Sequence, residues 1–230
     1  MKKNIYLCVI WTITLACIIF STQSKLGRIN LHMFNFFERN QKSEKLNISK
    51  DFQNFSEIEI NGNVMEIEIT KGNKFHIDSE FSIPNLEPVI SFEDDKLFIS
   101  QKNSFLNFGN NYCKVKLYIP ENTELKTAKI ETDVGDININ SIKCKKLNIE
   151  SDVGNIFADK ADCNKITIKT DVGNIKLKTK DSLENYNVIA KSDLGSITVG
   201  GNKYNKTFEA EADTLNQIYI SSDIGKITIN

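Results

Sequence analysis

From residue 126 onward, apolar and polar residues alternate in short runs, and one phrase interrupts them at intervals. It reads Asp133-Val134-Gly135-Asp136-Ile137, then Asp152-Val153-Gly154-Asn155-Ile156, Asp171-Val172-Gly173-Asn174-Ile175, Asp193-Leu194-Gly195-Ser196-Ile197 and Asp223-Ile224-Gly225-Lys226-Ile227. The copies are 19, 19, 22 and 30 residues apart. Aligned on the Asp, apolar columns stand five and three residues before it (Leu147 and Ile149 in the second copy) and four and six after it (Ile156 and Ala158). Lys, Glu, Asn, Thr and Ser fill most of the positions between. Alternation with period two predicts a strand on each side of the phrase, and the β-branched content agrees.

A period near twenty marks a solenoid whose units bury their apolar faces only by stacking on their neighbours. The expectation is an all-β, single-stranded β-helix with coils of about 19–22 residues, right-handed because parallel crossovers almost always are. The phrase is the corner between two strands. Gly135, Gly154, Gly173, Gly195 and Gly225 are expected at positive φ. Asp133, Asp152, Asp171, Asp193 and Asp223 are expected to accept an amide two residues on, as in an Asx-turn. Stacked carboxylates can also hold calcium, but calcium solenoids carry Gly and Asp at a denser, nonapeptide spacing. Turn formation is the ordinary reading, so no metal site or cofactor is expected.

Before residue 126 the pattern is looser. Ile58 and Ile60, Ile67 and Ile69, Phe75 and Ile77 mark short strands, punctuated by Gly62 and Gly72. Val89–Phe92 and Leu97–Ile99 bracket a turn at Glu93-Asp94-Asp95-Lys96, and the strand through Val115, Leu117 and Ile119 stops at Pro120. These read as less regular coils of the same solenoid. Gly200-Gly201-Asn202 opens a hairpin-like insertion. The coil from Ile218 to Ile229 comes last, with no capping helix after it. An uncovered last coil presents a strand edge, which suggests self-association or partner docking there.

At the other end, Ile5 to Phe20 contains no charge and follows Lys2-Lys3. Ser21 and Thr22 extend it to a length that a membrane span tolerates. Lys2 and Lys3 place the start of the chain inside. The division expected is a signal anchor or signal peptide over 1–22, a stalk over 23–50 and the solenoid over 51–230. The location expected is a bacterial cell membrane, crossed once, with the solenoid outside the cytoplasm. Cleavage near Ser21 to Ser24, or lipidation at Cys17, would also export it. Cys144 and Cys163, one coil apart, form either a buried apolar pair or a disulfide, which the compartment permits.

The 230 residues carry net charge −1, and from Lys126 onward fifteen lysines face fifteen acidic residues. A nucleic-acid binder needs a basic footprint that this chain lacks. Lys165, Lys169, Lys176, Lys178, Lys180 and Lys191 lie in neighbouring coils and could contact an anionic wall polymer; the plainer alternative is an ordinary solvated face. The histidines are His32 and His76, and the arginines Arg28 and Arg39 precede the solenoid. No convergent nucleophile, acid and base can be named, so no enzyme is expected.

The membrane segment, the strand Lys116-Leu117-Tyr118-Ile119-Pro120-Glu121-Asn122 and the Gly-x-Ile corners together resemble the bacterial putative-adhesin family, including LiaG-like envelope proteins. This chain carries Asp-Val-Gly-Asp/Asn-Ile where family members usually carry Ser-Gly-Asp-Ile. The resemblance implies a surface β-solenoid tied to adhesion or envelope stress, and it brings no catalytic residues. The function expected is therefore a non-enzymatic, membrane-anchored envelope protein binding a polymer or protein at the surface. A self-assembling structural module and a polysaccharide-active β-helix are the alternatives.

Overall fold

A computed structural model describes residues 45–101 and 111–230. The segment expected to cross the membrane (1–22) and residues 23–44 of the expected stalk lie outside the described residues. Residues 46–50 of that stalk are in a strand, so the sheet begins earlier than the sequence reading placed it. No helix among the described residues is long and apolar enough to cross a membrane.

The described chain is almost entirely strand. In order it forms β1 (Leu46–Asp51), β2 (Glu57–Val64), β3 (Glu66–Gly72), β4 (His76–Phe81), β5 (Pro88–Glu93), β6 (Lys96–Gln101), β7 (Cys113–Pro120), β8 (Leu125–Val134) and β9 (Ile137–Ile139). There follow β10 (Ile142–Val153), β11 (Ile156–Val172), β12 (Ile175–Thr179), β13 (Asn187–Leu194), β14 (Ile197–Val199), β15 (Asn202–Tyr204), β16 (Thr207–Ala210), β17 (Gln217–Ile224) and β18 (Ile227–Ile229).

These strands curl into stacked coils with two main flanks. One flank runs β6, β2, β8, β10, the second half of β11, β17, β13, all parallel. The other runs β7, β3, β9, the first half of β11, β12, β18, β14, also parallel. A short third side pairs Ile142 with Ala161 and Cys144 with Cys163. Between the flanks lies one core. The columns read from the sequence are its walls: Ala128, Leu147, Ile166, Ile218 and Val188 are buried in sequence register, as are Ile130, Ile149, Ile168, Ile220 and Ala190. Ile137, Ile156, Ile175, Ile227 and Ile197 close the opposite wall.

The stacking order is not the sequence order. The coil of β17 and β18 sits between that of β11 and β12 and that of β13 and β14. The expected open edge at the last coil is therefore absent: β17 and β18 are paired on both sides, which removes the basis for self-association there. The same exchange occurs at the other end, where β2 and β3 lie between β6–β7 and β8–β9. The outermost coil is the second in sequence at one end and the penultimate at the other, and antiparallel strands cover each. β16 and β15 lie on β13 and β14; β5 lies on β6, and β4 followed by β1 lies on β7.

Candidate functional site

The repeated corners make one continuous ridge. Glycine is required there for close approach. A Cβ on Gly154 would lie 2.0 Å from the carbonyl oxygen of Gly135; on Gly173, 1.9 Å from that of Gly154; on Gly225, 1.8 Å from that of Gly173; and on Gly195, 1.8 Å from that of Gly225. Positive φ, the sequence expectation, holds at Gly135, Gly173 and Gly225 with values of 150–159°. Contact with the neighbouring carbonyl is what all five share, Gly135 meeting that of Met65. The order of these contacts, 65, 135, 154, 173, 225, 195, is the stacking order again.

The Asx-turn expectation is corrected. The amide of Gly135 donates to the carbonyl of Val153, that of Gly154 to Val172, that of Gly173 to Ile224 and that of Gly225 to Leu194. The ladder thus runs unbroken through the corner and leaves the Asp side chain nothing to accept. The bonding role falls one place after the glycine instead. Asp136 Oδ1 accepts the amide of Asn155 at 2.7 Å, Asn155 Oδ1 that of Asn174 at 3.1 Å, and Asn174 Oδ1 that of Lys226 at 3.0 Å. Behind the corner a second column escaped the sequence reading: Thr132, Ser151, Thr170, Ser222 and Ser192 are buried. Ser192 donates to the carbonyl of Gly225 at 3.1 Å and Ser222 to that of Gly173 at 3.2 Å. A small hydroxyl just before every Asp was the available signal.

What remains on the outside of the ridge are two parallel columns. Asp133, Asp152, Asp171, Asp223 and Asp193 are exposed, and none of their carboxylates bonds or pairs with another described residue. Stacked at about 4.8 Å, they repel by up to about 1 kcal/mol per neighbouring pair in water. Beside them stand Val134, Val153, Val172 and Ile224, 43–49% exposed, and Leu194, 68% exposed. These apolar residues follow the Asp directly and turn outward where the chain bends. A groove of about 540 Å³ runs along the same edge, lined by Met65, Tyr112, Val134, Gly135, Val153 and Val172 among others. Five rungs extend over about 19 Å at that spacing.

The six lysines do not form one patch. Lys165 and Lys169 lie on β11 and Lys191 on β13, and the inserted coil separates them, with Ser221 between Lys169 and Lys191. Lys176 and Lys178 are on β12, on the other flank. Lys178 is 3.6 Å from Asp159, and Lys180 pairs with Asp162 at 2.8 Å.

One arrangement has the look of a catalytic set that the sequence did not reveal, because strand pairing assembles it. Ser49 and Asp51 on β1 face Asp78 and His76 on β4. His76 Nδ1 lies 2.5 Å from Asp51 Oδ1, and Nε2 lies 2.9 Å from Asp78 Oδ1 and 3.2 Å from Ser49 Oγ. Hydrogen bonds to Asp51 and then Asp78 raise the His76 pKa. The Lys74 and His76 hydrogen bonds hold Asp51 below its ordinary range. For Asp78, burial works the other way and is outweighed by its bonds from Ser49 and His76. Carboxylates on both ring nitrogens favour the protonated imidazole, which works against its taking the Ser49 proton. Ser49 itself donates to Asp78 at 2.8 Å. The cluster straps the edge strand β1 to β4. Among the described residues no group of three or more His, Cys, Asp or Glu could hold a metal ion.

Cys144 and Cys163 are in direct register, with Sγ atoms 3.0 Å apart and both side chains buried. Leu125 is next to Cys144 in this column. Leu215 stands eight residues before Asp223, as Cys144 does before Asp152, but is 93% exposed, because β17 begins only at Gln217.

Comparison with known proteins now places the fold. Residues 120–230 match the family model described as Toastrack DUF4097, so the C-terminal part of the chain is similar to a family with a β-solenoid-like fold. The crystal structure of a "putative cell adhesion protein" from Clostridium sporogenes superimposes with a TM-score of 0.65 at 17% identity, over 81% of this chain and 99% of that one. That coverage reaches well before residue 120, so the early coils share the same fold. A "putative adhesin" from Bacteroides fragilis covers 81% of this chain and 97% of its own at 18% identity, with a TM-score of 0.41. No curated protein sequence matches the chain.

Proposed function

We propose that this chain is an exported, non-enzymatic envelope protein. In this reading residues 5–22 hold it in the membrane, and a right-handed solenoid stands outside the cytoplasm and docks a surface partner along its corner ridge. The observation that carries the reading is the exposed apolar column of Val134, Val153, Val172, Ile224 and Leu194. Contiguous exposed apolar surface is how interaction sites usually announce themselves. The unpaired carboxylates beside it select the partner's charge: a basic, amphipathic segment of a protein at the cell surface offers one apolar and one cationic group for every rung or so. The cell-adhesion description of the Clostridium protein agrees with this role.

An anionic wall polymer on Lys165, Lys169 and Lys191 is the rival partner, and one experiment separates the two. Full-length protein is titrated with envelope preparations as wild type, as Val153→Asp with Val172→Asp, and as Lys165→Gln with Lys169→Gln and Lys191→Gln. The ridge variant is expected to bind at least tenfold more weakly and the lysine variant within about twofold of wild type, the ridge change removing two apolar contacts near 1–2 kcal/mol each. A ridge variant that binds like wild type overturns the reading. Protease added to intact cells, expected to digest the solenoid, tests export separately.

A further inference from the structure

We infer that Cys144 and Cys163 are joined by a disulfide in the mature protein. The inference rests on the proposed export, since that bond persists in oxidising compartments. The two residues face each other across adjacent parallel strands, β10 and β11, in direct register. Neighbouring strands hold Cα atoms about 4.8 Å apart, inside the range of roughly 4.4–6.8 Å that a disulfide spans. The side chains already converge, with Sγ atoms 3.0 Å apart, so a bond of about 2.05 Å needs an approach of only about 1 Å. Both residues are nearly inaccessible, 2% and 4% exposed, and no third metal ligand stands with them among the described residues. Cys113, the other described cysteine, is buried on β7 and takes no part.

The chemistry balances through thiol–disulfide exchange. A thiolate of one cysteine attacks a disulfide of an oxidant, either a dithiol-oxidising protein of the envelope or oxidised glutathione. The second cysteine then displaces the oxidant's remaining sulfur. The two cysteines lose two protons and two electrons, and the oxidant leaves as two thiols. The hydrogen bond with Cys163, and then burial, raise the Cys144 pKa in the folded chain. With both thiols buried, an oxidant cannot reach them once the coils close, and the bond forms while β11 is laid on β10. It then locks one coil to the next in the most regular part of the stack.

The test uses the full chain, refolded in detergent with a mixture of reduced and oxidised glutathione and then digested without reduction. The expected product is a peptide pair linking Cys144 to Cys163, with the loss of two hydrogens. Reduction should lower Tm by about 6–12 °C, the loss expected for a loop of this size in a domain of this size. The Cys144→Ala, Cys163→Ala chain should show no such change on reduction. Persistent free thiols, glutathione adducts alone, or a link through Cys113 overturn the inference whatever the compartment. In cells, alkylation before lysis should find the same linked pair. Free thiols there also overturn it, and digestion by external protease shows whether the export reading falls with it.

Discussion

The middle of the stack and its two ends are built from the same coil but joined by different rules. From Leu125 to Thr179, each coil lies on the one before it in sequence, at a spacing of 19 residues, with Gly, hydroxyl and Asx columns in step. At the C-terminal end the chain overshoots by one coil and returns to fill the gap; at the N-terminal end it steps outward from β2 and β3 to β6 and β7 and then passes back to β8 and β9, and antiparallel strands lie outside at both. A sheet of parallel coils has two raw edges, and raw edges invite pairing with other chains. The exchange of coils hands both parallel edges to short antiparallel strands, β15 and β16 at one end and β1 and β5 at the other. It also hides the C-terminal strand inside the stack and places the Asp223 and Ile224 rung in the ridge between those of Asp171 and Asp193.

The largest effect is expected where the middle is tightest. Gly154→Ala drives a Cβ into the Gly135 carbonyl and should cost about 3–5 kcal/mol, at the far end of single-residue effects. Gly201→Ala, in the end hairpin at φ +83° with nothing within 4 Å, should cost only about 1–2 kcal/mol. Urea melts of the two variants measure the contrast. Next comes Asn155→Ala, which removes the acceptor for the Asn174 amide and should cost about 1–2 kcal/mol.

A smaller, pH-dependent effect is expected at the N-terminal strap. The raised His76 pKa means its stabilisation is complete below the ordinary value of about 6.5 and is lost as pH rises through the higher folded value. Asp51 is held below its ordinary value, so its share is lost only as pH falls through that lower one. His76→Gln should therefore lower Tm at pH 5.5, and the gap to wild type should close by pH 9. A gap that widens with pH would reverse the assignment. The smallest effect is Asp152→Asn, expected within about 0.5 kcal/mol of wild type and on the stabilising side, because the carboxylate bonds nothing and repels its neighbours.

The coil was legible in the sequence because its causes are local. Alternation placed Ile149 and Ile168 inward, and the glycines marked the bends. The reason for those glycines was not legible, since it lies in a carbonyl of the next coil. Asp152 was read as the turn-maker because Asp commonly is one; Asn155, bonding across coils, takes that part. Stacking order was illegible in principle: a repeat says that each coil needs two neighbours and not which two. Ser49, Asp51 and His76, on strands separated in sequence, meet only through the pairing of β1 with β4. The ridge itself was half visible, as the apolar residue after each Asp, but its exposure depends on the corner turning that side chain away from the core.

A ridge of five consecutive rungs exists only if the last coil is inserted, and a pair of engineered cysteines tests this. Thr167 on β11 is expected beside Tyr219 on β17, with Ile189 on β13 one strand further, at about 9.6 Å and out of disulfide reach. Under mild oxidation the Thr167→Cys, Tyr219→Cys chain should form its internal link and the Thr167→Cys, Ile189→Cys chain should not. The opposite result would put the last coil at the end of the stack and break the ridge.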